Sequence, residues 1–227
     1  AIADEVFDEM IGDDTGDNIS VLNNRFCETT GIYWVWKNYE KIGNPDYIGF
    51  MHYRRHFLFG DENYVPNFWG LVKYSDLNDD YLKNNLDDEK IKNLVEQYDV
   101  VIPKRIENEI DNVVRNNYQQ YNCFHNISDL DKALSLLVEK YPDYEEYVEE
   151  YKKSNYAYFL DMFIMKKNIF FEYCNWLFPL LFELRYIILP SSDSYQNRAI
   201  GFISERLTDI FFRKKKKKKY KIKELPV

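Results

Sequence analysis

The stretch of sequence that most suggests chemistry is a pair of adjacent arginines, Arg54 and Arg55, that closely follows an apolar run. The run covers residues 47–51 and comes after the turn-forming residues 44–46, so it predicts a buried strand. Open α/β sheets bind ligands beyond the carboxyl ends of their strands. Guanidinium groups also match phosphate oxygens in charge and geometry. At this point, phosphate binding and pairing with surface acids explain the two arginines equally well.

Two histidines flank the arginines, and their spacing raises the question of a metal site. His52 and His56 are four residues apart, which on a helix could bring both rings to one metal ion. The β-prone run before them predicts a strand end rather than a helix. A metal site at these histidines is therefore the less favoured interpretation.

Two carboxylates occupy otherwise apolar segments. Asp161 lies inside residues 156–165, which read as a strand, and an ionised aspartate there is costly unless it is paired or faces a polar site. Glu205 lies in a predicted helix over 195–212. Catalysis and ion pairing with Arg206 or Arg198 explain Glu205 about equally well.

A third carboxylate, Glu28, falls on a predicted helix over residues 20–39, whose aromatic content predicts burial. Glu28 would either form an ion pair on the helix surface or orient one of the arginines after the strand. The second role is slightly favoured, because a buried carboxylate needs a partner.

The elements that must position these groups alternate along the chain. Strands are predicted over 47–51, 98–103 and 156–165, and helices over 1–10, 20–39, 91–97, 130–140, 144–153, 167–184 with a break at Pro179, and 195–212. Ser128 is a candidate cap for the helix over 130–140. Residues 58–90 read as a loop with short helices, and 106–127 are ambiguous. This alternation predicts an α/β fold.

Composition narrows the class of protein. The 227 residues are 45% hydrophobic and 18% aromatic, with only eight glycines, which indicates a packed globular protein rather than a disordered one. The chain has no apolar run of about 18 residues, the length that a transmembrane helix needs. Its three cysteines lie in separate segments, which fits neither a disulfide framework nor a zinc site and suits a reducing cytosol.

Positive charge is concentrated at the C-terminal end of the chain. Seven consecutive basic residues occupy 213–219, and residues 213–227 hold nine basic residues and one acidic residue, against 21 and 37 in the rest. The excess of acidic residues in the rest of the chain argues against a nucleic-acid-binding face over most of the protein. The basic run either stays solvated or attaches the protein reversibly to an anionic membrane, where each lysine contributes about 1 kcal/mol.

Five segments, taken together, resemble one protein family. They are 17–20 (DNIS), 28–38 (ETTGIYWVWKN), 47–57 (YIGFMHYRRHF), 161–165 (DMFIM) and 201–207 (GFISERL). Their order resembles the DUF4422 family of capsular and exopolysaccharide biosynthesis glycosyltransferases, some of which are galactofuranosyltransferases. The resemblance covers nearly the whole chain. It implies a GT-A-like, Rossmann-like α/β fold, with a single catalytic domain over 1–212 followed by a basic tail over 213–227.

The resemblance also implies an activity. Such an enzyme moves galactofuranose or another hexose from a UDP-sugar to a growing capsular, exopolysaccharide or O-antigen glycan, lipid-linked or free, at the cytoplasmic side of the membrane. The catalytic residues would be Asp161 and Glu205. The donor-binding residues would be Asp17, Asn18, Glu28, His52, Tyr53, Arg54, Arg55 and Arg206.

Two departures from the family pattern bear on this expectation. Family members normally have a first strand and turn before the segment with which this chain begins, so we expect that strand to be lacking here. His-Tyr-Arg-Arg also stands where GT-A enzymes often carry an Asp-x-Asp metal motif. Two fixed guanidinium groups could neutralise a diphosphate leaving group instead, although a divalent metal remains an alternative. A non-catalytic module that binds nucleotides or glycans is the competing hypothesis.

Overall fold

In the computed structural model, structure is described for residues 10–52, 54–60, 65–67, 70–74, 76 and 78–227, apart from the side chain of Asp80. Most of the short helix predicted over 1–10 lies outside these residues. The strands are β1 (Tyr47–Phe50), β2 (Val100–Pro103), β3 (Ile106–Glu107), β4 (Glu109–Ile110), β5 (Val113–Val114), β6 (Tyr156–Ala157), β7 (Phe163–Lys166) and β8 (Ile222–Leu225).

The central sheet has the strand order β1-β7-β2-β8. β7 runs antiparallel to both β1 and β2, and β8 runs parallel to β2. β1, β2 and β8 therefore end at the same side of the sheet, where β7 begins. We call this side the carboxyl edge. The pairs β3–β6 and β4–β5 form two small separate sheets.

Helices cover much of the rest of the chain. They are α1 (Asn23–Phe26), α2 (Thr29–Lys37), α3 (Asp79–Asn85), α4 (Asp88–Val95), α5 (Asn117–Phe124), α6 (Ile127–Lys140), α7 (Glu145–Lys153), α8 (Lys167–Ile187) and α9 (Ala199–Lys217). The α/β fold class predicted from the alternation of elements is confirmed.

Two helices differ in detail from their predictions. Helix α8 continues through Pro179, because the proline is exposed while Phe178 and Leu180 beside it pack fully into the core. Helix α6 begins after Asn126, whose side chain accepts the backbone N–H of Ser128. The predicted cap Ser128 is therefore inside the helix, because an asparagine two residues earlier satisfies the free N–H groups.

Alternate residues of strand β2 belong to two different apolar clusters, one on each face of the sheet. Val100 and Ile102 of β2 belong to the larger cluster, which also contains buried residues of α6, α8 and α9. Val101 belongs to the smaller cluster, together with Phe57 and the C-terminal Val227. Because side chains alternate across a strand, this pattern means that both faces of β2 are covered, and all four of its residues are buried.

The single strand predicted over 156–165 is wrong. β6 ends at Ala157 and β7 begins at Phe163, with a turn between them. Helix α9 holds this turn, since Asp209 accepts the N–H of Tyr158 (3.2 Å) and Glu205 accepts the N–H of Leu160 (2.6 Å). Local periodicity cannot reveal acceptors located 45 and 51 residues further along the chain.

The basic segment over 213–227, expected to be either solvated or attached to a membrane, contains regular secondary structure. Helix α9 continues to Lys217, and residues 222–225 form β8. The side chains of Arg213, Lys214 and Lys215 are buried. Four lysines pair with acidic side chains, in the pairs Lys214–Asp143, Lys215–Glu172, Lys216–Glu224 and Lys217–Glu150. The basic run therefore neutralises acidic residues of the same chain, including Glu146 and Glu150 in α7.

Arg213 is the most constrained member of the run. Its Nε lies 2.6 Å from Oδ1 of Asp209, which is fully buried, and another of its nitrogens donates to the carbonyl oxygen of Tyr156 (2.6 Å). We expect Arg213→Met to destabilise the fold by roughly 3–5 kcal/mol, because it leaves the Asp209 carboxylate buried without its main partner. Chemical denaturation measures this difference.

Lys218→Met, one residue beyond the helix, is the control, and its stability should change by less than about 1 kcal/mol because Lys218 is exposed. The double variant Arg213→Met/Asp209→Leu should recover part of the loss. Equal stability of Arg213→Met and wild type would contradict the buried ion pair.

Candidate active site

Three carboxylates, Glu28, Asp161 and Glu205, come together near the carboxyl edge of the sheet. Glu28 lies between α1 and α2, Asp161 lies in the turn before β7, and Glu205 lies on α9. Each of the other two acts on Asp161 electrostatically, and Glu205 acts on Glu28. Like charges in a partly desolvated site are costly to maintain and are typical of functional sites. We call these three residues the carboxylate cluster.

Glu28 reaches the cluster because the predicted helix over 20–39 is broken. Cys27 has a φ of +51°, which ends α1 and reverses the backbone before α2 begins. The side-chain amide of Asn23 donates to the carbonyl of Cys27 (3.0 Å), and the hydroxyl of Thr29 donates to that of Phe26 (2.5 Å). These local hydrogen bonds compensate a backbone conformation that non-glycine residues rarely adopt.

A glycine lets helix α9 approach this break closely. A Cβ atom at Gly201 would lie 2.7 Å from Sγ of Cys27 and 3.6 Å from the carbonyl oxygen of Phe26. Only a residue without a side chain fits this contact. The close approach brings Ser204 and Glu205, one helical turn further along α9, towards Glu28.

Asp161 is buried at the centre of the cluster. Its side chain is only 6% exposed, and it follows Leu160 in a turn where both residues have positive φ (+89° and +47°). Ser204 donates to its Oδ2 (2.9 Å), whereas Oδ1 is buried with no hydrogen-bond partner in the described part of the chain. Burial, and then Glu28 and Glu205, raise the pKa of Asp161 well above its ordinary value.

Both oxygens of Glu205 are engaged. Oε1 accepts the backbone N–H of Leu160 (2.6 Å), and Oε2 is paired with the guanidinium of Arg206. Arg206 is itself buried, and its guanidinium lies over the rings of Phe159 and Tyr121. The ion pair with Arg206 considered from the sequence is therefore present. Together these contacts hold the strained turn before β7 in place.

Glu28 is the accessible member of the cluster. Its surface is exposed to solvent, but protein atoms surround its carboxyl group closely enough that burial, and then Glu205, raise its pKa. Arg198 and Arg55 oppose this effect by lowering the pKa of Glu28. An accessible carboxylate with a raised pKa, in a site with other charges, has the properties of a general base.

The arginines predicted to bind phosphate follow β1. Both arginines hydrogen-bond to His52: the backbone N–H of Arg55 donates to the carbonyl oxygen of His52 (2.9 Å), and the backbone N–H of Arg54 donates to Nδ1 of His52 (3.3 Å). Arg54 is exposed and Arg55 is partly buried. Burial, followed by the positive charges of Arg55, Arg54 and Arg198, lowers the pKa of His52. His52 is consequently neutral at pH 7.

The structure brings together most of the residues predicted to form the site, but not all of them. Glu28, His52, Arg55, Asp161, Glu205 and Arg206 contact or act electrostatically on other members of the group. Tyr53 lies outside the described residues. Asp17 instead accepts a hydrogen bond from the hydroxyl of Tyr33 (3.2 Å), and the side chain of Asn18 binds the backbone of its own loop. These hydrogen bonds connect Asp17 and Asn18 to a loop packed on α2.

Ser204 and Gly201 were not singled out as site residues from the sequence. A weak signal was present, because Ser204 and Glu205 lie three and four residues after Gly201, and Asp209 lies four residues after Glu205. This spacing places small and polar residues on one helical face. Arg198, considered only as a partner of Glu205, also belongs here, since its Nε donates to Sγ of Cys27 (3.1 Å).

The sequence raised the question of a metal site at His52 and His56. Among the residues that the structure describes, no group of three or more His, Cys, Asp and Glu side chains is arranged to hold a metal ion. His56 contacts the hydroxyl of Tyr81 through Nε2 and lies 2.9 Å from the carbonyl oxygen of Phe57 through Nδ1. Both ring nitrogens of His56 are engaged, so His56 does not fit a metal ligand here.

Asp161 makes the site costly for stability. A carboxyl group whose pKa is raised by folding favours the folded state fully only below its unfolded pKa, and this advantage is lost as pH rises through the folded pKa. We therefore expect Asp161→Asn, which keeps an acceptor for Ser204, to raise the melting temperature by a few degrees at pH 7. The gain should shrink as pH falls from the raised pKa of the folded state towards the ordinary aspartate pKa, because the carboxyl group is then protonated in the folded protein and its penalty is relieved. Calorimetry of the two proteins over pH 4–8 checks this, and a lower melting temperature at pH 7 would contradict it.

Comparisons with known proteins agree with this architecture. A family model described as a domain of unknown function, DUF4422, matches residues 1–217. The apo structure of WbbM, a bifunctional glycosyltransferase, superposes with a TM-score of 0.86 at 36% sequence identity. The match covers 95% of this chain and 38% of WbbM, so the chain corresponds to well under half of that protein. Among curated proteins, nothing matches significantly. The fold is GT-A-like, and the chain belongs to the DUF4422 family.

Proposed function

We propose that this protein is a glycosyltransferase that moves a sugar from a nucleotide diphosphate donor to a hydroxyl group of a glycan acceptor. The observation that carries the proposal is the carboxylate cluster next to Arg55, Arg198 and His52 at the carboxyl edge. Sugar transfer needs positive charge for the leaving diphosphate and a base for the acceptor hydroxyl. Similarity to a glycosyltransferase at 36% identity over 95% of the chain supports it.

We assign the binding of the leaving diphosphate to the two arginines that follow β1. As the bond from the sugar to the diphosphate breaks, negative charge develops on the phosphate oxygens. Arg54 and Arg55 would bind these oxygens, because two guanidinium forks on a tight turn stabilise this charge with little reorganisation. Arg198 lies near enough to His52 and Glu28 to act on both electrostatically, and it adds positive charge at the same place.

The acceptor proton is assigned to Glu28. Of the three carboxylates it alone is exposed, whereas Asp161 is buried and Glu205 already holds Leu160 and Arg206. Glu28 would take the proton from the acceptor hydroxyl as that oxygen attacks the sugar. The sequence favoured Asp161 and Glu205 for catalysis. We now propose both as positioning residues that shape the turn before β7, with Glu205 also raising the pKa of Glu28.

The finer assignment is to a UDP-sugar, with galactofuranose or another hexose as the sugar, and to a growing capsular, exopolysaccharide or O-antigen glycan. It depends on the resemblance of the five sequence segments to the family, and on the glycosyltransferase similarity. A reaction in the reducing cytoplasm suits the three cysteines, which are all unpaired.

A donor panel tests the function. UDP-galactofuranose, UDP-galactopyranose and UDP-glucose are each incubated with the protein, and released UDP is measured. One donor should release UDP well above the rate of a Glu28→Gln/Arg55→Ala control. UDP binding without turnover of any donor, in the presence of glycan acceptors, would favour a non-catalytic module of the same fold.

Membrane attachment through Arg213–Lys219 receives little support from the contacts of this run. Its first five residues are paired with acidic side chains, and charges that are already neutralised attract an anionic bilayer weakly. In the described part of the chain, no helix has both the length and the apolar character needed to span a bilayer. We therefore propose that a lipid-linked acceptor, if used, is recognised through its glycan.

A further inference from the structure

Next to the carboxylate cluster, four rings form a continuous aromatic surface. They are Phe124 and His125 at the end of α5, Tyr195 before α9 and Phe202 on α9. The ring centre of His125 lies 4.1 Å from that of Phe202 and 5.7 Å from that of Tyr195, with the last two 5.0 Å apart. We call these residues the aromatic cluster.

The aromatic cluster is held together by hydrogen bonds, yet it remains open to solvent. The side-chain amide of Gln196 donates to the carbonyl oxygen of Phe124 (3.0 Å), and Asp193 accepts the N–H of Tyr195 (2.8 Å). Tyr195 is 48% exposed and Phe124 is 40% exposed. Aromatic rings that are fixed in position and exposed beside polar groups are typical of binding surfaces.

His125 contributes a neutral ring to this surface. Burial, and then the positive charges of Arg206 and Arg198, lower its pKa to about 4. Its Nδ1 is buried without a hydrogen-bond partner in the described part of the chain. At pH 7 the aromatic cluster therefore carries no charge of its own.

Arg198 connects the aromatic cluster to the candidate base. Its guanidinium carbon lies 5.4 Å from the ring centre of Phe202, and its Nε donates to Sγ of Cys27, the residue before Glu28. The guanidinium also acts electrostatically on Glu28. A ligand lying on the aromatic rings would thus have its edge next to the carboxylate.

We propose that the aromatic cluster binds a sugar ring of the acceptor glycan, an inference that rests on the proposed function. One face of a sugar ring presents C–H groups, which pack against the electron-rich faces of aromatic rings. Its hydroxyl rim would accept hydrogen bonds from Arg198, and one hydroxyl would point to Glu28. The nucleobase of the donor could also stack on aromatic rings. The acceptor is favoured because the rings lie beside the proposed base, whereas Arg54 and Arg55, which we propose bind the diphosphate oxygens directly, follow β1.

Saturation-transfer NMR tests this binding without requiring turnover. The probes are the methyl glycosides of galactose, glucose and mannose, with UDP measured separately on the same samples. Wild type should transfer saturation to the ring protons of at least one glycoside. Tyr195→Ala should weaken that binding about tenfold, the effect of losing one stacking contact, and leave UDP binding unchanged.

Two further variants separate stacking from general damage. Tyr195→Phe keeps the ring and should bind the glycoside as wild type does. Tyr186→Ala removes another tyrosine, 72% exposed at the end of α8, and should have no effect. Unchanged glycoside binding in Tyr195→Ala, or no glycoside bound by wild type, would overturn the proposal. Loss of UDP binding instead would assign the rings to the donor nucleobase. A negative donor panel refutes the enzyme activity, but it leaves this binding result unchanged.

Discussion

Glu28→Gln is expected to lower kcat by roughly 10²–10⁴, because glutamine keeps the shape of the side chain but cannot accept the acceptor proton. The loss should appear in kcat more than in the KM for the donor, since the diphosphate is assigned to Arg54 and Arg55. Steady-state rates of UDP release with a saturating donor measure the effect. Circular dichroism and the melting temperature should show an intact fold, because Glu28 is exposed.

The other two carboxylates provide the matched comparison. Glu205→Gln should reduce the rate less than Glu28→Gln, since its effect passes through the turn at Leu160 and the ion pair with Arg206. If Asp161→Asn or Glu205→Gln loses more activity than Glu28→Gln, the base assignment moves to that residue. Wild-type rates in all three variants would exclude the carboxylate cluster from catalysis.

The pH dependence follows from the raised pKa of Glu28. A general base works when it is deprotonated, so the rate falls as pH drops through its pKa. Burial and Glu205 raise that pKa, and the acid limb of kcat/KM should therefore lie above the ordinary range for a glutamate. Arg55 lowers the pKa of Glu28, so the residual activity of Arg55→Ala should have its acid limb at higher pH still. An acid limb at the ordinary glutamate value would contradict the assignment.

Arg55→Ala is expected to reduce kcat/KM by roughly ten- to a hundredfold, the effect of losing a charged hydrogen bond of about 1.5–3 kcal/mol. Arg54→Ala should have an effect of the same kind. Its size depends on how far the exposed side chain of Arg54 is immobilised by the diphosphate. The affinity for UDP, measured by calorimetry, should fall in both variants, because the contact exists before the transfer step as well as during it.

Lysine at position 55 should restore little of this loss, because an ammonium group cannot present a planar fork to two phosphate oxygens. Arg185→Ala is the control. This arginine lies near the end of α8 with its side chain against Tyr186, and UDP affinity should not change. Wild-type affinity and turnover in both Arg54→Ala and Arg55→Ala would remove the diphosphate from this turn.

Some of this architecture was predictable from the sequence because it depends on local pattern. The apolar residues 47–51 and 98–103 correspond to β1 and β2, and the basic residues that follow them lie at the carboxyl edge. Apolar spacing also located α8 and most of α6 and α9. A strand or helix that buries one face has apolar residues at regular intervals, and this periodicity can be recognised in the sequence.

Other features could not be predicted, because they depend on contacts between distant segments. At the break at Cys27, helix α9 packs closely against the backbone through Gly201, which lies 174 residues later in the chain. The turn at Leu160 and Asp161 exists because Glu205 and Ser204 of α9 bind it. The basic run is helical and partly buried because acidic residues of α7, α8 and other segments pair with it.

The sequence by itself determined which chemical groups are present: the paired arginines after a strand, the carboxylates in apolar segments, and the order of motifs that the family shares. Only the tertiary structure decided the role that each group can take. In the sequence, Asp161 and Glu205 are both plausible catalytic carboxylates. In the structure, Asp161 is buried and out of reach of an acceptor, and both oxygens of Glu205 are already bound, by the N–H of Leu160 and by Arg206. Glu28 remains accessible because the predicted helix is interrupted at Cys27 and α2 begins only at Thr29. Accessibility and pKa depend on the atoms surrounding a side chain, and folding brings those atoms from every part of the chain.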